Sequence, residues 1–316
     1  MAWARKGREF EHKTGPSGNT GGLFYNADTM STVPSAPSAP DLSRPPGRAV
    51  IVVLGAGRSG TSLLMQVLAA LGMAVSERLI GAGRDNPRGH FEDAPIVRIQ
   101  ADLLRRLDAW PYHPLPPDWL DHPATATAEQ ALEDLLRPRL GGQDEASAPW
   151  GFKDPRTAAF LPMWQRLFDR LGIAPRYLLA LRDPGSVVQS FMAAYGAGAD
   201  EAESVWLRRT GDALWHTGAR CHLVHYEDWF RRPAAMAADL ARFAGLAAPD
   251  PARPSDPPLE TLIRPDLDRS GRRRAGLANA EARALARALE DCRGDDFDRN
   301  RLLERVAERV ALARRT

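Results

Sequence analysis

Three places in this chain set a cation beside an expected helix start, directly after an apolar run. The first is Gly55-Ala56-Gly57-Arg58-Ser59-Gly60-Thr61-Ser62, which follows residues 48–54. The second is Lys153-Asp154-Pro155-Arg156, which follows residues 149–152. The third is Arg182-Asp183-Pro184-Gly185, which follows residues 176–181. In the second and third, the Asp is the expected N-cap and the Pro the expected first helical residue. A helix N-terminus favours anions through its free backbone N–H groups and its dipole. A cation at each such end suits a ligand with several separated negative groups.

The elements that must position these residues follow from the apolar pattern. Residues 48–54 are short, apolar and rich in β-branched types, as a buried parallel strand is. Residues 149–152, 176–181 and 221–226 read as three more strands. Helices are expected at 63–71, 94–109, 127–137, from 155 to about 171, to 195, 200–217, 233–245, 279–291 and 298–314. Pro162 predicts a restart or kink in its helix. Residues 76–93 read as a loop and 247–278 as irregular. Strands alternating with helices predict an α/β fold with a parallel central sheet flanked by helices. Right-handed crossovers bring all strand C-terminal ends to one edge, where ligands of such sheets bind.

Composition narrows the classes. At 316 residues, 44% hydrophobic and 26% charged, the chain can bury a substantial core. A net charge of +2 is too small to point to nucleic acid or an anionic surface. No apolar run approaches the roughly 20 residues that cross a bilayer, and the N-terminus lacks a signal-peptide core, so a cytoplasmic location is expected. Cys221 and Cys292 read as reduced thiols. Residues 1–48, with Pro34 to Pro40, read as a disordered tail, and Met30 is a possible natural start. Heavy Ala, Arg and Pro usage points to a GC-rich, bacterial genome. Lys6, Lys13 and Lys153 are the only lysines, so Lys153 stands alone in the folded part of an arginine-rich chain.

The first turn fits three templates. A Walker A loop needs Lys after its last glycine, and here Thr61 follows Gly60. Gly55-x-Gly57-x-x-Gly60 matches the dinucleotide fingerprint, which also wants an acidic residue ending a second strand; Glu77 is at that distance, but 73–75 is a poor strand. The third template is the phosphosulfate loop of the sulfotransferases, which Arg58-Ser59-Gly60-Thr61-Ser62 resembles. Arg182 with Ser190 eight residues later resembles that family's 3′-phosphate motif. Tyr226-Glu227-Asp228 resembles its downstream strand end, and Lys153-Asp154-Pro155 a turn of tyrosylprotein sulfotransferases and bacterial relatives. Asn86-Pro87-Arg88-Gly89-His90-Phe91-Glu92 is similar to an Asn-Pro-x-Gly-aromatic-x-Glu stretch of bacterial members, with His90 at the aromatic position.

The resemblance covers residues 49–235 and implies a PAPS-dependent sulfotransferase of P-loop NTPase-like, three-layer fold. PAPS, 3′-phosphoadenosine 5′-phosphosulfate, would be the sulfuryl donor and PAP the product. Gly57, Arg58, Ser59, Gly60, Thr61 and Ser62 would cradle the phosphosulfate. Arg58 and Lys153 would neutralise the leaving oxygen, Arg182 and Ser190 would hold the 3′-phosphate, and Tyr226 would lie beside the nucleotide. Glu92 would be the base toward an acceptor hydroxyl, on a carbohydrate or glycolipid, with Glu77 and His90 as rival bases. No metal is implied. Residues 94–145, with Trp110, Tyr112 and Trp119, would form an acceptor-side cap, and 247–316 a basic loop and helices. Arg264 and Arg272–Arg274 would close over the 3′-phosphate or form a solvated loop.

Other readings stay open beside these. Lys153 could sit in a structural ion pair. Glu92 could bridge Arg88 or Arg98, and Tyr226 could be core. For the whole chain, the alternatives are a P-loop-type kinase, a Rossmann NAD(P) or flavin enzyme, and a non-catalytic binding protein on the same fold.

Overall fold

The computed structural model describes residues 49–83, 89–141, 148–249, 255, 257–264 and 276–312. The expectations for residues 1–48, for Asn86-Pro87-Arg88 and for Arg272–Arg274 lie outside the described residues. Among the described residues four strands are present: β1 (Val50–Leu54), β2 (Trp150–Lys153), β3 (Pro175–Leu181) and β4 (Cys221–His225). They form one sheet in the order β2-β1-β3-β4, with every neighbouring pair parallel.

The main helices are α1 (Thr61–Ala70), α2 (Ala94–Arg106), α3 (Pro123–Gly141), α4 (Thr157–Leu171), α5 (Pro184–Tyr195) and α6 (Ala199–His216). A short α7 (Asp228–Arg231) leads into α8 (Pro233–Ala244). Then come α9 (Leu259–Leu262), α10 (Ala280–Leu289) and α11 (Arg299–Leu312). The sheet is covered on both faces. Val50, Val52 and Leu54 join one core with Leu103 of α2, Leu132 of α3, Trp164 of α4, Leu214 of α6 and Leu285 of α10. Ile51 and Val53 join the other with Leu64 and Leu68 of α1 and Leu240 of α8. Alternate side chains of a strand point to opposite faces, so a strand buried on both must be apolar throughout. That is why β1 reads as a continuous apolar run. The architecture is the expected α/β three-layer one.

Some local expectations are corrected. Asp154 does not cap α4, which starts at Thr157 with Arg156 as its N-cap. The Asp154 carboxylate instead accepts the Arg156 backbone N–H at 2.9 Å, closing an Asx-type turn ahead of the helix. Asp183 does cap α5, accepting the Ser186 N–H at 2.8 Å, with Pro184 at the first turn. The helix of Pro162 runs unbroken from Thr157 to Leu171, anchored by a buried apolar face. A short helix, α9, lies inside the stretch expected to be irregular. Both cysteines are free.

Edge strand β4 is blunted by the C-terminal segment. Gly294 pairs antiparallel with Leu223, and Arg293 Nε donates to Asp228 Oδ2 at 2.8 Å. No helix among the described residues is long and apolar enough to cross a membrane.

One aromatic column ties the core to the sheet edge. Trp150, Phe152, Trp164 and Phe168 stack with successive centroid separations of 5.5, 4.5 and 5.4 Å. Trp164 Nε1 donates to Gln100 Oε1 at 3.1 Å, and Gln100 Nε2 donates to Asp154 Oδ2 at 2.7 Å. Trp164→Ala removes a fully buried ring and leaves Gln100 without that donor. It is expected to cost about 3–5 kcal/mol, read as a lowered midpoint in denaturant unfolding.

Candidate active site

The C-terminal ends of β1, β2 and β3 meet at one edge, each delivering the expected cation. After β1 the chain makes a tight loop into α1. Gly55 has φ +140° and Gly60 φ +88°. A Cβ on Gly60 would lie 2.5 Å from the Tyr226 ring, so neither the backbone nor the space admits another residue. A Cβ on Gly57 would meet nothing within 4 Å, so the loop backbone is open to close approach there. Arg58 holds φ 76°, a left-handed conformation rare outside glycine and concentrated at functional sites. Gly60 caps α1 without a side-chain hydrogen bond, and no acidic residue lies in the first turn. Ser59 and Thr61 are buried.

Arg182 reaches from the end of β3 across this loop. Its Nη1 donates to the Arg58 carbonyl at 3.3 Å, and its guanidinium carbon sits 4.5 Å from the centre of the Tyr226 ring. Its Nε is buried without a hydrogen-bond partner among the described residues. Buried donors are rarely left unpaired, and in such an edge this one is suited to an anionic oxygen. Ser190 bonds to Arg58 in this state, accepting from its Nε at 3.0 Å. Tyr226, just beyond β4, donates its backbone N–H to the Leu181 carbonyl at 2.8 Å. The Asp183 N–H donates to Glu227 Oε1 at 2.9 Å, fastening the end of β3 to the turn after β4.

Lys153, the last residue of β2, is only 2% exposed. Its Nζ donates to Glu92 Oε1 at 3.0 Å and lies 3.4 Å from Ser62 Oγ. The Ser62 hydroxyl donates to the His90 carbonyl at 3.0 Å. So the loop, the 90–92 stretch and the end of β2 converge on one ammonium. Glu92 pairs with Lys153, not with Arg98, which is exposed. Of the rival bases, Glu77 is exposed and His90 contributes its backbone carbonyl here.

Sequence reasoning missed Arg156. Its Nη2 lies 3.9 Å from Glu92 Oε2, while its Nε is shared between both Asp154 oxygens at 2.8 and 3.0 Å. Burial disfavours its charge, but the Asp154 carboxylate, with Glu92 beyond it, more than compensates and raises its pKa. The signal was present in the Lys-Asp-Pro-Arg run, where an Asx turn brings residue i+2 back to the Asp. On the expected cap, Tyr112 packs edge-on against Phe191 at 5.3 Å, Trp119 packs against Phe160, and Trp110 is exposed. Arg264 is exposed. Among the described residues no group of three His, Cys, Asp or Glu side chains is arranged to hold a metal ion.

Two templates fall away on this geometry. The dinucleotide template needs residues 73–75 as a strand beside β1, yet the neighbours of β1 are Trp150–Lys153 and Pro175–Leu181. Residues 73–75 contribute one bridge, Ala74 to Trp150 at the outer side of β2, and Glu77 is exposed. A Walker A loop carries its lysine next to the last glycine; here the lysine at the loop comes from the end of β2.

Comparison with known proteins agrees. The "Sulfotransferase family" model matches residues 50–250, more than half of the chain. No curated protein matches the chain in sequence. Among solved structures, the chain is similar to the sulfotransferase domain of the Synechococcus PCC 7002 olefin synthase, at 20% identity, 80% coverage of this chain, 98% of that one and a TM-score of 0.48. It is similar also to the sulfotransferase domain from the curacin biosynthetic pathway, at 16% identity, 85% and 99% coverage and a TM-score of 0.40. These two likenesses are too loose to bear weight, and the assignment rests on the family match. The chain belongs to the sulfotransferase family.

Proposed function

We propose that this protein transfers a sulfuryl group from PAPS to an acceptor hydroxyl. The observation that carries the reading is the convergence of Arg58, Lys153 and Arg182 on one glycine loop, with a carboxylate, Glu92, already against the lysine. PAPS would supply the sulfuryl group and a leaving 5′-phosphate oxygen. The residues fit such a donor: the loop is open at Gly57, and Arg182 Nε is a buried donor without a hydrogen-bond partner among the described residues.

The chain's own groups divide the work. Backbone N–H groups of residues 57–62, with the Thr61 and Ser62 hydroxyls, hold the phosphosulfate end. Lys153 and Arg58 place positive charge where the leaving oxygen gains negative charge. Lysine suits that place because its ammonium is a compact point charge on a flexible stem. Arg182 and Ser190, each hydrogen-bonded to Arg58, hold the 3′-phosphate, and the Tyr226 ring packs against the Arg182 guanidinium. Glu92 takes the acceptor proton as the new O–S bond forms and the old S–O bond breaks. The acceptor class suggested by the family resemblance is a carbohydrate or glycolipid, approached past the 94–145 cap.

Two outcomes test this. In calorimetric titration, PAP binds without magnesium and more tightly than ATP or NAD. Arg182→Ala weakens PAP by about tenfold to a hundredfold, the loss of hydrogen bonds to a charged group. Preferential, magnesium-dependent ATP binding would favour the kinase reading instead. With ³⁵S-labelled PAPS and a panel of saccharides and glycolipids, Glu92→Gln lowers transfer by roughly 10²–10⁴-fold while PAP affinity persists. Undiminished transfer would remove Glu92 from the role of base.

A further inference from the structure

We infer that Arg156 is a positioning residue: it takes over the Glu92 carboxylate when the donor draws Lys153 away. The inference rests on the proposal that Lys153 serves the donor's leaving oxygen. Glu92 is buried, and each of its oxygens faces a different cation. Lys153 Nζ lies 3.0 Å from Oε1, and Arg156 Nη2 lies 3.9 Å from Oε2. The first is a formed hydrogen bond. The second is an ion pair still too long to be one.

The two cations differ in how they are held. Lys153 has a flexible stem and already lies 3.4 Å from Ser62 Oγ in the phosphosulfate loop, so a short motion carries it to an anion there. Arg156 cannot follow. Its Nε is bound by both oxygens of Asp154, a side chain with 0% exposure that Gln100 fixes from behind at 2.7 Å. Once Lys153 leaves, the buried Glu92 charge would keep only its long contact with Arg156, a costly state. A small rotation of the carboxylate toward the fixed Arg156 Nη2 relieves it. Oε2 is then held by Arg156, and Oε1 is freed to face the acceptor proton. Arg156 thereby makes the donor's claim on Lys153 affordable without touching the donor.

The prediction is an energetic coupling between Arg156 and Glu92 that is read in donor affinity. PAP is the probe, because its terminal 5′-phosphate oxygen is the one that leaves sulfur. Calorimetry on the full chain compares wild type, Arg156→Ala, Glu92→Gln and the double variant. Arg156→Ala is expected to weaken PAP by about 5–50-fold in the wild-type background, within the usual range for coupled sites, and by under about twofold when Glu92 is already Gln. Arg156→Lys is expected to recover part of the loss. Should Arg156→Ala fail to fold, Arg156→Gln keeps a neutral donor for Asp154 and gives the same contrast. An equal loss in both backgrounds, or no loss in either, overturns the inference while leaving the donor assignment intact. Failure of wild type to bind PAP overturns the donor assignment and this inference with it.

Discussion

A lysine with 2% exposure must keep its charge answered, and at this sheet edge the answer is Glu92. That buried pair is the constraint on which the rest of the site depends. Removing either partner alone would strand a charge in the interior, at a cost of about 3–5 kcal/mol. The pair therefore fixes the 90–92 stretch against the end of β2, and through Ser62 it reaches the glycine loop as well. A purely structural pair could be replaced by apolar residues with little loss. An ammonium kept beside an open anion loop has a further use, because it can exchange one negative partner for another. In the proposed reaction the ground-state pair would hold the charge that the leaving oxygen needs.

The parallel sheet brings the three cations together. With all four strands running the same way, β1, β2 and β3 end together, and each end can carry one cation. The strands are held by cores on both faces, so these ends cannot shift independently. Behind the site, Trp164, Gln100 and Asp154 form a buried relay from the aromatic column to the Arg156 side chain. Arg156 is thus tied to the core by a chain of side-chain hydrogen bonds. Lys153 is wired only through its own stem and its partners.

Much of this was legible in the residues. β1 announced itself because a strand buried on both faces has to be apolar without interruption. Arg182 and Asp183 were readable because an Asp-Pro pair after a strand is a common start for a helix, and α5 begins there. The same logic failed at Asp154-Pro155. There a long-range partner, Gln100, and a local one, Arg156, compete for the carboxylate and win it from the helix. Long-range partnership was also what hid Arg156 from a reading by motif. The same holds for Glu92: the family resemblance of residues 86–92 singled it out, but only folding brings it 3.0 Å from a lysine 61 residues away. Ser190 shows a subtler limit. Its eight-residue spacing from Arg182 was plain, yet in this state its hydroxyl serves Arg58, which itself receives Arg182 through its carbonyl.

The most direct test of the account is the ammonium itself. Lys153 is one of three lysines, and the other two are Lys6 and Lys13. In a ¹⁵N-lysine-labelled sample its buried Nζ resonance can be assigned by Lys153→Arg and followed as PAP is added. The account predicts a saturable change in that resonance, at the concentration where PAP binds. It also predicts that Glu92→Gln alters the starting position of the resonance. If PAP binds, by calorimetry on the same sample, while the Lys153 resonance stays where it was, then the pair with Glu92 is structural only. The leaving oxygen would then be served by another group.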